Sequence, residues 1–119
     1  MREIIEVDGL PKAGPYSLAV RYENIVFLSG QTGDGSVFAE QFKNAMNKVS
    51  KILSEAGSGL ENVLKVTVYL ANSSNFSEMN SLYGEYFKSN FPARTTVIVS
   101  FPNNKIMVEI DVIAYIKRK

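Results

Sequence analysis

The 119-residue sequence contains no cysteine and no histidine. Without cysteine the chain has no disulfide and no thiol nucleophile, and without histidine it has no imidazole base. The ligands of nearly all zinc sites, including those of zinc deaminases, are therefore missing as well. We expect no metal and no other cofactor. Any catalysis must rely on arginine, carboxylates, hydroxyl groups, lysine, backbone groups and water.

The sequence also has little net charge and no long apolar run. Its 13 basic and 12 acidic side chains leave a formal charge of +1, so electrostatics gives no reason to expect nucleic acid or a membrane as partner. The short basic end, residues 117–119, is typical of a solvated terminus. No stretch reaches the roughly 18 apolar residues of a membrane span, and the N-terminus is charged where a signal peptide is apolar. We expect a single cytoplasmic domain over residues 1–119.

Hydrophobic periodicity predicts an α+β fold. Two segments with helical apolar stripes lie at 37–56 and 76–89. Runs rich in Val, Ile and Thr predict β-strands at 16–21, 25–28, 62–71, 95–101 and 105–116, and a short edge strand at 2–7. The main order is β-β-α-β-α-β-β, with both helices on one face of a mixed sheet. No segment remains to cover the other face, so we expect it to be buried by self-association.

Two charged residues stand out in the last two apolar strands. Arg94 lies at the start of the strand 95–101, and Glu109 lies inside the strand 105–116, two residues before Asp111. A carboxylate in an apolar strand is costly unless it is paired or functional, and a guanidinium is a bidentate partner for a carboxylate. Two interpretations are open. Arg94 and Glu109 form a structural pair, or Arg94 holds the carboxylate of a small ligand.

The second helix carries a polar residue within its apolar stripe. Asn80 lies one turn after Phe76, and a buried asparagine must find hydrogen-bond partners. A satisfied structural asparagine and a contact to a ligand or catalytic loop are both open. Asn75, with Glu78 three residues later, resembles a capping pair for this helix.

Four stretches together resemble the RidA/YjgF family of reactive-intermediate deaminases. They are, in chain order, GPYS at 14–17, SGQ at 29–31, FPART at 91–95 and VEID at 108–111. Asn80 and the segment 66–70 (VTVYL) also fit, so the resemblance covers nearly the whole chain. It implies a chorismate-mutase-like fold in which the final strand lies beside the first hairpin and the 62–71 strand. Sequence proximity alone would instead pair the last two strands as a hairpin.

The resemblance also implies an activity, an assembly and a set of site residues. The activity is hydrolysis of 2-imino acids such as 2-iminopropanoate and 2-iminobutanoate, or of their enamine tautomers, to 2-keto acids and ammonia. The assembly is a homotrimer with its sites in the clefts between subunits. By motif, Arg94 would clamp the substrate carboxylate and Glu109 would hold and polarise the attacking water. Tyr16 and Ser29 would line the substrate cleft, and Gly30 would offer its backbone N–H. Asn80 would be a supporting contact, and Thr96 would also belong to the substrate-binding residues.

Two features depart from the family pattern. Thr96 stands where many members have cysteine, so a thiol is not essential here. The loop after Gln31 is shorter than in typical members, and the chain enters its first helix several residues early. The alternatives are a non-catalytic trimer that binds small carboxylates through Arg94, a chorismate mutase on the same architecture, and a ribonuclease. The absence of histidine and the near-neutral charge argue against the last.

Overall fold

The computed structural model of the chain describes residues 1–117, so residues 118 and 119 of the basic end lie outside the described part. The elements are β1 (Glu3–Ile5), β2 (Ala19–Tyr22), β3 (Ile25–Leu28), α1 (Phe38–Glu55), β4 (Val63–Leu70), α2 (Phe76–Tyr86), β5 (Ala93–Ile98) and β6 (Val108–Tyr115). This confirms the predicted α+β class, and β1 confirms the short edge strand predicted at 2–7. None of the helices within 1–117 has the length and hydropathy needed to span a bilayer.

The strands form one mixed sheet in the order β1-β2-β3-β6-β4-β5. β4 and β5 are parallel because α2 connects them as a crossover, and the other neighbours are antiparallel. β6 lies between β3 and β4, as the family resemblance implied. A hairpin of the last two strands, which sequence proximity suggested, is wrong.

Strict alternation gives the sheet two different faces. In β6, Val108, Ile110, Val112 and Ala114 are buried, and the residues between them are half-buried. The buried set packs against α1 and α2 in one core, so we call this side the helix face and the other side the open face. Because side chains alternate along a strand, every residue of β6 can be assigned to a face from its register.

The open face carries both apolar and polar side chains. Apolar residues occupy the β2-β3 side, where Phe27 is 47% exposed and lies opposite Ile113. A polar band crosses β4 and β6, where Thr67 pairs with Asp111 and Tyr69 pairs with Glu109. These groups share the face that the helices leave uncovered.

Several boundaries differ from those predicted. β5 begins at Ala93, so Arg94 lies inside the strand and not before it. β2 begins at Ala19, which leaves Tyr16 in the preceding loop. Strand propensity extended the predicted β2 over residues 16–18, which belong to the loop. The predicted β5 began two residues late, because Ala93 and Arg94 lack strong strand propensity but pair with β4 in the structure.

The start of α2 is also different. Asn75 makes no side-chain capping bond, so the predicted capping pair with Glu78 is wrong. A short 3₁₀ turn, Ser73–Asn75, precedes the helix, and the Asn72 side chain accepts a hydrogen bond from the Ser74 backbone N–H at 2.8 Å. The cap therefore acts one turn earlier, where Asn72 has the extended backbone of an N-cap residue.

One buried amide joins α1 to the segment before β6. Gln41 is 4% exposed, and its Nε2 donates to the backbone carbonyls of Lys105 at 2.9 Å and Gly35 at 3.1 Å. Its Oε1 accepts from the backbone N–H of Met107 at 2.8 Å. The Gln41 side chain thus satisfies backbone groups that no strand partner reaches.

Candidate active site

Arg94 lies on the helix face at the outer strand of the sheet. Its Cα partner on the parallel strand β4 is Val66, which is fully buried against the helices. The guanidinium carbon lies 4.8 Å from the ring centre of Tyr83 and 6.0 Å from that of Phe76. Nη1 approaches the Met79 sulfur at 3.9 Å. The guanidinium is therefore held by π-systems and a soft sulfur atom.

No acidic side chain among residues 1–117 forms an ion pair with Arg94. The two ion pairs in that range join Lys12 to Glu6 and Arg21 to Glu3. The predicted alternative of a structural Arg94–Glu109 pair within one chain is therefore wrong. The donors of Arg94 remain available to an anion from outside the chain.

A cleft of about 510 Å³ opens beside Arg94. Its lining residues are Asn80, Tyr83, Gly84, Phe91, Pro92 and Arg94. Asn80 is exposed at the rim of this cleft, so its predicted burial is wrong. The reason is geometric, because α2 packs near the edge of the sheet and one flank of its stripe faces the cleft and not the core. The position still places the amide at the cleft that Arg94 lines.

Two buried hydroxyl groups accompany Arg94. The Tyr83 hydroxyl and the Thr96 Oγ1 are inaccessible to solvent, and neither has a hydrogen-bond partner within the described chain. Burial raises the pKa of Tyr83, and the charge of Arg94 partly opposes that rise. Thr96 lies two residues after Arg94, so both side chains point to the helix face.

Glu109 lies on the open face, in the middle of the sheet. Its Cα partner on β4 is Tyr69, and the next residue of β6 on the same face is Asp111. The Tyr69 hydroxyl donates to the Asp111 Oδ2 at 2.6 Å. Burial, and secondly the charge of Asp111, raise the pKa of Glu109. The hydrogen bond to Asp111, together with burial, raises the pKa of Tyr69 to about 12.

Gly30 and Glu109 are in direct contact. The segment around Gln31 runs beside β6, because Gln31 and Ile110 exchange backbone hydrogen bonds of 2.8 and 3.0 Å. A Cβ atom on Gly30 would overlap the nearer carboxylate oxygen of Glu109 and lie 2.8 Å from its Cδ. Only glycine lets the carboxyl group lie across the backbone at this point.

Tyr16 and Ser29 lie near Gly30. Tyr16 and Gly30 both line a cleft of about 200 Å³, together with the side chain of Lys48 from α1. The Tyr16 hydroxyl accepts a hydrogen bond from the Ala13 N–H at 3.3 Å. The Ser29 hydroxyl donates to the Ser17 carbonyl at 2.7 Å, which leaves its lone pairs free to accept.

The predicted site residues therefore form two groups within one chain. The first, on the helix face, contains Arg94, Asn80 and Thr96. The second contains Glu109 and Gly30, with Tyr16 and Ser29 close to the glycine. The sheet separates Arg94 from Glu109, because their cross-strand partners Val66 and Tyr69 lie on opposite faces of β4. Sequence reasoning missed Tyr83, since its place in the apolar stripe predicted only core packing.

Comparison with known proteins places this geometry in a family. The family model described as endoribonuclease L-PSP matches residues 8–116. A RutC family protein of Pyrococcus abyssi is 40% identical over 96% of this chain and 97% of its own length. Human 2-iminobutanoate/2-iminopropanoate deaminase is 38% identical over 96% of this chain and 90% of its own length. The crystal structure of RidA from an Antarctic Psychrobacter covers 96% of this chain and 99% of that one, with a TM-score of 0.90 and 32% identity. The chain thus belongs to the endoribonuclease L-PSP family, also called the YjgF/RidA family, and has its chorismate-mutase-like fold.

Proposed function

We propose that this protein hydrolyses 2-imino acids, or their enamine tautomers, to 2-keto acids and ammonia. The observation that carries the proposal is the state of Arg94, whose guanidinium faces a cleft and has no acidic partner among the described residues. A planar donor held by rings and a thioether is preorganised for a substrate carboxylate. The human relative, whose name states an imine deaminase activity, supports the same reading.

Glu109 supplies the second chemical group of the proposal. Water adds to the carbon of the protonated C=N group as Glu109 accepts its proton. Glu109 then returns this proton to the amine nitrogen of the carbinolamine, which leaves as ammonia while the hydroxyl group loses its proton to solvent and becomes the keto group. Because burial raises the pKa of Glu109, this carboxylate is a stronger base than an exposed one. A protonated imine is already electrophilic. Placing the water close to the C=N carbon in the correct orientation therefore provides most of the required acceleration.

The two groups come together between copies of the chain. In our proposal, Arg94 of one subunit faces Glu109 of its neighbour in a homotrimer. The partly exposed apolar side chains of the open face, among them Phe27, support this assembly because a stable monomer would rarely leave them uncovered. The separation of Arg94 and Glu109 on opposite faces of the sheet of one chain supports it as well.

The site arrangement is tested by mixing two inactive variants. Arg94→Ala and Glu109→Gln are each unable to complete a site, but a mixed trimer contains interfaces that join an intact Arg94 to an intact Glu109. We expect about a quarter of the sites to recover after random reassembly of equal amounts. The measurement is ammonia release from an imine that an amino-acid oxidase produces in situ. The single variants, carried through the same treatment alone, are the controls, and no recovery in the mixture would contradict a shared site.

The strongest alternative is a trimer that binds small carboxylates without catalysis. Arg94 fits both functions, whereas a base of raised pKa beside a glycine serves only the reaction. If wild-type protein binds pyruvate but gives no ammonia release above buffer, the binding function replaces the enzymatic one. Chorismate turnover and RNA cleavage are checked on the same preparation, and either one, if lost in Arg94→Ala, would favour the corresponding rival.

Gly30→Ala tests the contact that positions Glu109. The added methyl group displaces the carboxyl group of Glu109, so we expect kcat to fall about 10- to 100-fold. The thermal midpoint should change little, because the atom that must move is the end of a flexible side chain. Gly84→Ala is a comparison for thermal stability alone and not for activity, because Gly84 lines the cleft beside Arg94. Its methyl group meets nothing within 4 Å, so it should stabilise α2 by about 1 kcal/mol. An unchanged kcat in Gly30→Ala would show that the contact is not needed.

A further inference from the structure

Asp111 and Tyr69 form a polar pair that the proposed reaction does not use directly. Both lie on the open face with Glu109, and their hydrogen bond is 2.6 Å long. A phenol that donates to a carboxylate over so short a distance fixes the position of that carboxylate. Asp111 is therefore held in one place on the face where Glu109 lies.

The sheet geometry brings this fixed carboxylate next to Glu109. Residues two apart on a strand are about 6 to 7 Å apart along one face. Tyr69 is the direct cross-strand partner of Glu109 and also the hydrogen-bond donor to Asp111. Tyr69 therefore lies directly beside Glu109 and donates its hydrogen bond to Asp111.

We propose that Tyr69 and Asp111 form a positioning pair, which keeps a second negative charge beside Glu109 and so sets the pH at which the site becomes active. The pair touches no substrate in this proposal and acts only through Glu109. The inference rests on the proposed function for its kinetic readout, but its structural part concerns the two carboxylates alone.

Within the described chain, the other groups that face Glu109 leave Asp111 as its main charged neighbour. In the proposed trimer, Arg94 of a neighbouring subunit also faces Glu109, and this positive charge is the same in every variant compared below. On β4 these are Tyr69 and, beyond Thr67, Lys65, which lies opposite Ile113. β5 presents Thr95 and Val97, neither of which is charged. The 29–31 segment presents Gly30. The raised pKa of Glu109, caused by burial and then by Asp111, agrees with this arrangement.

The first variant removes the charge of the pair. Asp111→Asn leaves an amide of the same shape beside Glu109, so the glutamate should ionise more readily and the acid limb of the kcat profile should move to lower pH. The kcat on the plateau above the acid limb should fall far less than the roughly 10²- to 10⁴-fold expected from removal of the catalytic base.

The second variant keeps the charge of Asp111 and removes the hydroxyl group that donates a hydrogen bond to it. Tyr69→Phe leaves the Asp111 carboxylate without the hydroxyl that offsets its charge, so the acid limb should move to higher pH. In the double variant the effect of Tyr69→Phe should vanish, because the hydroxyl acts through Asp111. The two single variants should therefore shift the acid limb in opposite directions, and the shifts should not add in the double variant. A purely structural role of the pair does not produce this result.

The experiment uses the full-length protein in its native assembly. Ammonia release is measured across pH for wild type, Asp111→Asn, Tyr69→Phe, the double variant and Glu55→Gln, a charge-matched control on α1 at the helix face. The titration of the Glu109 carboxyl carbon is followed by NMR in the same set. If wild type shows no ammonia release, the proposed function fails, while the NMR titration still tests the pair. Shifts in the same direction, additive shifts, or an Asp111→Asn loss as large as that of Glu109→Gln would overturn the inference.

Discussion

Replacing Arg94 by alanine should lower kcat/KM for 2-imino acids by about 10²- to 10⁴-fold. Each hydrogen bond between charged partners contributes roughly 1.5–3 kcal/mol, and a bidentate clamp makes two of them. KM should rise strongly, because the substrate loses the group that holds its carboxylate. Arg94→Lys keeps the charge but not the planar fork, so we expect an intermediate loss. The measurement is the initial rate of ammonia release over a range of substrate concentrations.

Arg21→Ala is the matched control for this result. It also removes an arginine from a strand, but Arg21 is partly exposed and already paired with Glu3. Such surface pairs contribute about 0–1 kcal/mol, so kcat/KM should stay within about fivefold of wild type. If Arg94→Ala behaved like Arg21→Ala, the carboxylate anchor would have to be another group.

Replacing Glu109 by glutamine should lower kcat by about 10²- to 10⁴-fold with little change in KM. The amide keeps the shape of the side chain and its place against Gly30, but it cannot accept a proton from water. Glu109→Asp keeps the base at a shorter reach and should retain part of the activity. A kcat close to wild type in Glu109→Gln would assign the base to another residue.

The same variant should be slightly more stable than wild type at neutral pH. The folded-state pKa of Glu109 is raised, so between its ordinary value and the raised one the folded chain binds more protons than the unfolded chain. Stability therefore falls as pH rises through that window, and the deficit persists above it. Glutamine carries no charge to desolvate, so its thermal midpoint should exceed that of wild type at pH 7 and not at low pH. Thermal unfolding at both pH values measures the difference.

The fold was predictable because local pattern and global architecture agree. The stripe of α1 and the alternation of β6 each bury one set of side chains, and both sets face the same core. The position of β6 between β3 and β4 was not available from periodicity, since a strand pattern does not name its neighbours. It followed from the family resemblance, which was carried by turn and strand-end motifs.

The site was predictable in its residue types but not in its arrangement. Arg94 and Glu109 stand out as charges in apolar strands, and Gly30 as a glycine at the end of one. Which face each side chain takes depends on register, and strand pairing fixes register only in three dimensions. The hydroxyl of Tyr83 and the bond from Tyr69 to Asp111 were equally hidden, because tyrosine in an apolar pattern predicts only packing.

Gln41 has a consequence for the opposite side of the molecule. Its side-chain amide donates to the carbonyl of Lys105 and accepts from the N–H of Met107, as the backbone of a neighbouring strand would. These two hydrogen bonds fix the position at which β6 starts. A slip of β6 by one residue would turn Glu109 inward and Ile110 outward. A glutamine buried beneath one surface of the sheet thus determines which carboxylate the other surface displays.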